Sequence, residues 1–132
     1  MSDLQNLGPG AVLNVRVGED WRKSAARAQT AMRALGEGTT PEPHFSVGFA
    51  DIGQMLAVFT PKRWELVAAL RAAGPLTVAA LARHLGRDYK NVHTDVAQLI
   101  EWMTVDRLDD GRVHVPWAEI VVDMKLPQQL AA

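Results

Sequence analysis

Four polar side chains recur on the outward face of a predicted helix that Asp88 caps and that runs to about residue 103. These side chains are Lys90, Asn91, Thr94 and Gln98. Lysine donates to guanine, asparagine and glutamine form paired hydrogen bonds with adenine, and threonine offers a hydroxyl and a methyl group. The set therefore predicts a helix that reads base edges in the major groove of double-stranded DNA. The alternative is a solvated face, because an amphipathic surface helix exposes polar residues of this kind.

Two aromatic side chains flank this polar face. Tyr89 lies about 60° from the centre of the apolar stripe, so we expect its ring to pack against the core while its hydroxyl reaches a phosphate. His93 lies on the flank of the helix, where a packed, a surface and a DNA-contacting position are all open. We also expect the free N–H groups of the first helical turn to favour a phosphate nearby.

Two shorter helices precede this helix and set its position. Thr60 suits the N-cap and Pro61 the first position of one helix, which stops at Gly74. Thr77 caps the next helix and joins the predicted DNA-binding set, and Gly86 can adopt the left-handed conformation of a tight turn. Two helices joined by such a turn form a helix-turn-helix. The inward residues of the three helices are Leu66, Val67, Leu70, Val78, Leu81, Ala82, Leu85, Val92, Val96, Leu99, Ile100 and Met103.

A β-hairpin is predicted directly after the helices. Residues 105–108 and 112–115 flank an Asp-Asp-Gly turn, and a turn of this composition between short strands is typical of a hairpin. In this position it would be the wing of a winged helix. Arg112 beside the turn is then expected to contact a phosphate or the minor groove. The alternative is a solvated arginine, because Asp109 and Asp110 repel phosphate.

Three segments outside this module alternate apolar and polar residues, as half-buried strands do. They are residues 13–17, 45–49 and 120–126. We expect them to meet in one small sheet that a helix over residues 19–35 covers. The predicted fold class is α+β, and the predicted units are a strand-helix-strand arm (1–58), a winged helix-turn-helix (59–116) and a C-terminal strand with its tail (117–132).

Apolar side chains in the arm and in the last strand predict an interface for a second copy or another protein. They are Trp21, Ala25, Ala28, Met32 and Leu35 on the helix, and Ile120, Val122 and Met124 on the strand. A homodimer is expected because symmetric regulators bind paired half-sites. The alternative is that these side chains cover the chain's own core.

The charge distribution is compatible with DNA binding but does not require it. The net charge is −1 over 132 residues. Only the segment 61–103 carries more basic than acidic residues. Its basic residues are Lys62, Arg63, Arg71, Arg83, Arg87 and Lys90, against Glu65, Asp88, Asp95 and Glu101.

Several function classes find no support in the sequence. There is no cysteine, no glycine-rich phosphate loop and no close pairing among His44, His84, His93 and His114, so we expect no enzyme activity, cofactor or metal. No leader or membrane-spanning run is visible, and a cytoplasmic location without membrane contact is expected.

Three stretches of the chain resemble a prokaryotic MarR-like winged-helix family of transcriptional regulators. They are Phe59 to Leu66, Gly86 to His93 and Asp110 to Pro116, within a likeness that spans Leu13 to Leu126. The resemblance implies DNA contacts by Arg87, Tyr89, Lys90, Asn91, His93 and Thr94. It also implies an association with toxin–antitoxin operons.

Two functions therefore compete at this point. The first is a sequence-specific dimeric regulator that represses a promoter. The second is an antitoxin whose arm, from Val12 to Leu35, masks a cognate toxin, with autoregulatory DNA binding as a secondary role. A toxin-like gene next to this one would favour the second function.

Overall fold

The computed structural model describes residues 7–18, 29–30, 32–33, 36 and 45–126. The fold is mixed α+β, with a three-stranded sheet, four helices of defined length and a small hairpin among these residues. In chain order the elements are β1 (Val12–Val17), β2 (Phe45–Phe49), α1 (Ile52–Val58), α2 (Pro61–Ala73), α3 (Val78–Leu85), α4 (Tyr89–Glu101), β3 (Asp106–Arg107), β4 (Val113–His114) and β5 (Glu119–Met124).

All four helices begin at an N-cap residue, and for α2, α3 and α4 it is the residue that the sequence predicts. The side-chain oxygens of Asp51, Thr60, Thr77 and Asp88 accept hydrogen bonds from backbone N–H groups in the first turn of α1, α2, α3 and α4 respectively. Gly86 ends α3 in the left-handed region, with φ 65° and ψ 34°. This conformation turns the chain directly into α4, as the predicted glycine turn requires.

The three alternating segments meet in one sheet, as predicted. Its strand order is β2-β1-β5, and both neighbours run parallel to β1. Leu13, Val15 and Val17 of the central strand are fully buried on one face. Parallel neighbours need a long crossover, and the chain between β1 and β2 is long enough to provide one.

One hydrophobic core joins the sheet to the helices and the hairpin. Leu13 and Val15 of β1 belong to the same buried cluster as Leu66 of α2, Leu99 of α4 and Val113 of β4. The arm and the helical segment therefore share a core.

Aromatic contacts and arginine hydrogen bonds reinforce this connection. The ring of Phe49 stacks on Trp102 with centroids 4.5 Å apart, and Phe59 stacks on Trp64 at 4.7 Å. Two residues before β5, the backbone carbonyl of Trp117 accepts a hydrogen bond of 3.1 Å from Arg71 Nε. Thus the C-terminal part of α2 is tied to the sheet.

The ends of three predicted elements differ from the expectation. The helix over residues 88–103 ends at Glu101, because Met103 has a left-handed φ of 64° that no continuing helix allows. The hairpin strands are two residues each, and β5 stops at Met124 instead of residue 126. The residue pattern predicts where an element lies more accurately than it predicts the residue at which the element ends. The ends vary because the final turn depends on tertiary contacts.

The helix predicted over residues 19–35 falls mostly outside the described residues. Trp21, Ala25, Ala28 and Leu35 are among those that are not described. Met32 is described as helical and its side chain is 70% exposed. The side chain of Met32 therefore does not cover the chain's own core. Within the described part of the chain, no helix is long and apolar enough to cross a membrane.

Candidate functional site

The outward face of α4 carries the polar side chains that the sequence predicts. Lys90, Asn91 and Thr94 are exposed, and Gln98 is half-buried. On the opposite side of the helix, Val92, Val96 and Leu99 are completely buried. Ala97 is exposed between Thr94 and Gln98, so a flat surface could approach the helix closely there. The polar face therefore exists as a continuous solvent-facing surface.

The N-terminus of α4 is not the open phosphate site that we expected. The carboxylate of Asp88 accepts hydrogen bonds from the backbone N–H groups of Lys90 (3.1 Å) and Asn91 (3.3 Å). Two of the unpaired donors in the first turn are thereby satisfied, and a negative charge is added beside them. A phosphate at this position would have to compete with that carboxylate.

Tyr89 does not pack against the core as predicted. Its side chain is 51% exposed, and its ring contacts the ring of His93 at a centroid distance of 5.8 Å. The residue stands at the first position of α4, where no neighbouring turn covers it. His93 is itself exposed. The two rings therefore form a small aromatic pair at the edge of the polar face, available for stacking or hydrogen bonding.

An ion-pair network beside this face joins α4 to α2. Asp95 Oδ1 accepts a hydrogen bond of 3.0 Å from Arg63 Nε, and Asp95 Oδ2 lies 2.7 Å from Arg87 Nη2. Arg63 Nη1 also donates to the backbone carbonyl of Val58 at 2.8 Å. The side chains of all three charged residues are 14–19% exposed. Charge-assisted bonds of this kind, shielded from water, hold the helix in one orientation.

A shallow groove of about 460 Å³ runs between the start of α2 and the polar face of α4. Its lining comprises Thr60, Pro61, Lys62, Arg63, Arg87, Asn91, Thr94 and Asp95. Three basic side chains and one carboxylate line it, and two of the three, Arg63 and Arg87, pair with that carboxylate. The groove is therefore suited to an anionic group next to Asn91 and Thr94.

Arg87 and Thr77 of the predicted DNA-binding set already have intramolecular partners. Arg87 bonds Asp95, and its Nη1 atom is buried without a hydrogen-bond partner in the described structure. The hydroxyl oxygen of Thr77 accepts a hydrogen bond of 3.1 Å from the Ala80 N–H. Both residues therefore have a structural role. Any contact with DNA would come in addition to it.

Arg112 is held by the neighbouring turn. Its Nε donates to Asp110 Oδ2 at 2.7 Å and its backbone N–H to Asp110 Oδ1 at 3.0 Å. Both hydrogen bonds lower the pKa of the Asp110 carboxyl below its ordinary value. The bond from the Arg112 backbone N–H has the larger effect and the bond from the Arg112 side chain the smaller. Arg112 therefore has a partner within its own turn, and its contact with DNA stays a prediction. The pair stands at the exposed tip of the hairpin.

The groove adds residues that the sequence analysis did not assign to a site. Lys62 and Arg63 were counted only as charge, and Asp95 only as an acidic residue of the helix. Arg63 and Asp95 are 32 residues apart in sequence, so no local spacing indicates that they meet. The only available signal was the position of Lys62 and Arg63 in the first turn of a capped helix.

Comparison with known proteins gives one similarity. The model of the HVO_A0114 family matches residues 58–122, a segment just under half the length of the chain. That segment contains α2, α3, α4, the hairpin and the first part of β5. No curated protein and no solved structure matches the chain.

Proposed function

We propose that residues 59–116 act as a winged helix-turn-helix and that the protein is a sequence-specific regulator that binds double-stranded DNA. In this proposal α4 enters the major groove and the β3–β4 hairpin is the wing. The observation that carries it is the exposed face of Lys90, Asn91 and Thr94 on a helix whose other side is fully buried. Base readout needs such a face on a rigid element.

The groove beside α4 supports the proposal through its charge. Phosphate contacts orient a protein on DNA, while base contacts give specificity. Lys62 is exposed at the start of α2, across the groove from Asn91. A DNA strand seated there would have a cation for its phosphate next to side chains suited to base edges. The two kinds of contact that a specific complex requires would then lie side by side.

The proposed biological role is repression of a promoter. Repression follows if the bound site overlaps a promoter, and an operator with paired half-sites would require two copies of the chain. The resemblance to MarR-like regulators favours this role. It also implies a cytoplasmic location, where prokaryotic promoters are found. The proposal assigns no catalytic step and no cofactor.

The test is selection of duplexes from a random-sequence DNA pool by the purified full chain. The proposal predicts enrichment of a defined motif, and the gene's own upstream region is the first natural sequence to examine for it. Binding measured in several salt concentrations separates specific from purely electrostatic association. An unenriched pool, or equal binding to every duplex, would overturn the proposal.

An antitoxin role is the second candidate, and one observation favours it. Met32 is 70% exposed on the helical part of the arm, so this predicted interface side chain is accessible to a partner. Co-expression with the product of an adjacent small gene, followed by co-purification, tests this role. Met32→Glu should then weaken the complex, while Thr30→Glu, an exposed position on the same segment, should weaken it less.

A further inference from the structure

The outer edge of β5 is the open end of the three-stranded sheet. In the described part of the chain no strand lies on that side of β5. The face of the sheet that is buried on β1 is also partly exposed to solvent on β5. Val15 and Val17 are 0% and 1% exposed, whereas their neighbours in register, Val122 and Met124, are 43% and 44% exposed. The core face of the sheet thus continues onto β5 without a cover.

The backbone of β5 offers its unpaired groups at three alternate residues. The Lys125 N–H donates to the Val17 carbonyl of β1 at 2.8 Å. Because hydrogen-bonding groups alternate between the two edges of a strand, the odd-numbered residues of β5 face β1. Ile120, Val122 and Met124 therefore direct their N–H and C=O groups to the outer edge. These residues also carry the half-covered apolar side chains.

We propose that β5 pairs antiparallel with β5 of a second copy, about a two-fold axis at Val122, to form a continuous six-stranded sheet. In this register Val122 faces Val122 of the other copy, and Ile120 faces Met124. Each of these pairs has its backbone groups directed at the partner, which gives about six hydrogen bonds. The exposed apolar side chains would then cover one another across the axis.

The charges at the two ends of β5 favour this register. Residue Glu119 lies opposite Lys125 of the second copy, twice in the symmetric pair. Opposite charges in directly facing positions of an antiparallel pair are stabilising, and like charges are destabilising. If the two-fold axis passed through Asp123 instead, the two copies of Asp123 would lie opposite each other. The backbone groups of Asp123 would then point away from the second copy. The register at Val122 avoids both faults.

The other edge of the sheet does not offer an equivalent surface. On β2, Val47 and Phe49 are buried against the core, and the exposed residues are Ser46 and Gly48. An exposed hydrophobic edge strand is the kind that pairs most readily with another chain. The sheet is therefore asymmetric, and β5 is the edge fitted to a second copy.

A single cysteine tests the axis, because the natural chain has none. The two Cα atoms of the central pair would lie about 5.5 Å apart, within the range of about 4.4–6.8 Å that a disulfide spans. Mild oxidation of the full-length Val122→Cys variant should therefore give a covalent dimer in high yield. Ser46→Cys, exposed on the opposite edge, is the control and should stay monomeric. Equal cross-linking of both variants, or none at Val122→Cys, would overturn the proposal.

Charge reversal tests the register independently. Glu119→Lys and Lys125→Glu should each weaken dimerisation about 3- to 10-fold, as two facing pairs become repulsive. The double variant should restore it. Sedimentation equilibrium over the micromolar range measures the change, since an interface of one strand pair is below the usual size for tight dimers. Circular dichroism verifies that each variant is folded.

The results separate this inference from the DNA-binding proposal. A double variant as weak as either single variant would overturn the register, and a wild-type chain that stays monomeric throughout would overturn the dimer. Neither result affects base readout by a single chain, which the DNA selection measures. Conversely, a β5 dimer that enriches no DNA motif would uphold this inference alone.

Discussion

Arg63 in the first turn of α2 and Asp95 in the middle of α4 are joined by a hydrogen bond of 3.0 Å between Nε and Oδ1. Asp95 also bonds Arg87, which precedes the cap of α4. One carboxylate thus connects the start of α2, the turn before α4 and α4 itself. Because this network lies beside Asn91 and Thr94 in the same groove, it sets the angle at which the polar face is presented.

Replacement of Asp95 should loosen this arrangement. Asp95→Asn keeps the shape but leaves two partly buried guanidinium groups without their counter-charge, so we expect a loss of about 1–3 kcal/mol in the free energy of unfolding. Urea denaturation measures it. Glu101→Gln, an exposed carboxylate at the end of the same helix, is the control and should change stability little. An equal effect of the two substitutions would show that the network does not stabilise the fold.

Specificity should depend on the polar face of α4. Lys90→Ala and Asn91→Ala should each cost about 1–3 kcal/mol in binding to the selected DNA motif, with relaxed preference at the contacted base. Fluorescence anisotropy with matched and mutated duplexes provides the measurement. His84→Ala, exposed on α3, should bind as the parent does. Unchanged affinity of both α4 variants, with folding intact, would remove this face from the interface.

The hairpin offers a gain-of-affinity test. Asp110→Asn removes the carboxylate that holds Arg112 and that repels phosphate. If Arg112 reaches DNA, affinity should rise several-fold, and the dependence of binding on salt should steepen because one more phosphate is neutralised. Asp109→Asn is the matched control, since it removes the same charge without the bond to Arg112. An identical rise in both variants would indicate a general charge effect and no role for Arg112.

Leu99 should matter for stability and not for recognition. Leu99 lies on the inner side of α4 and its side chain is fully buried. Leu99→Ala should therefore lower the free energy of unfolding by roughly 2–5 kcal/mol. DNA binding should be lost only as the protein unfolds. Thermal melting and binding measured at the same temperatures test this. A variant that melts like the parent but no longer binds would contradict the division of roles between the two faces of α4.

One glycine should be irreplaceable at the end of the central strand. Gly18 has φ 76°, and a Cβ added there would clash with the backbone carbonyl oxygen of Lys125. Gly18→Ala should therefore cost at least about 1–3 kcal/mol of stability. Gly48→Ala on β2 is the control, because its φ is ordinary and nothing lies within 4 Å of the added atom. Chemical denaturation of the two variants measures the difference. Equal stabilities of Gly18→Ala and Gly48→Ala would show that the clash at residue 18 costs nothing.

Much of this protein follows from local sequence signals. Neighbouring residues set the caps at Thr60, Thr77 and Asp88, the turn at Gly86 and the alternation of the three strands, and all of these appear where expected. The buried stripe of α4 and its polar face follow from the same helical period. These features depend on interactions within one helical turn or along one strand, so the residue pattern is sufficient to locate them.

Other features exist only because distant segments meet. The sequence does not indicate that β1 would be the middle strand, that Asp95 would bind Arg63, or that Gly18 would touch Lys125. It also does not indicate which part of the core face β5 would leave uncovered, or that Tyr89 would lie outside the core. Strand order, ion pairing between elements and side-chain exposure are decided by which elements pack together. That choice is collective, because each contact depends on the burial that all the others produce.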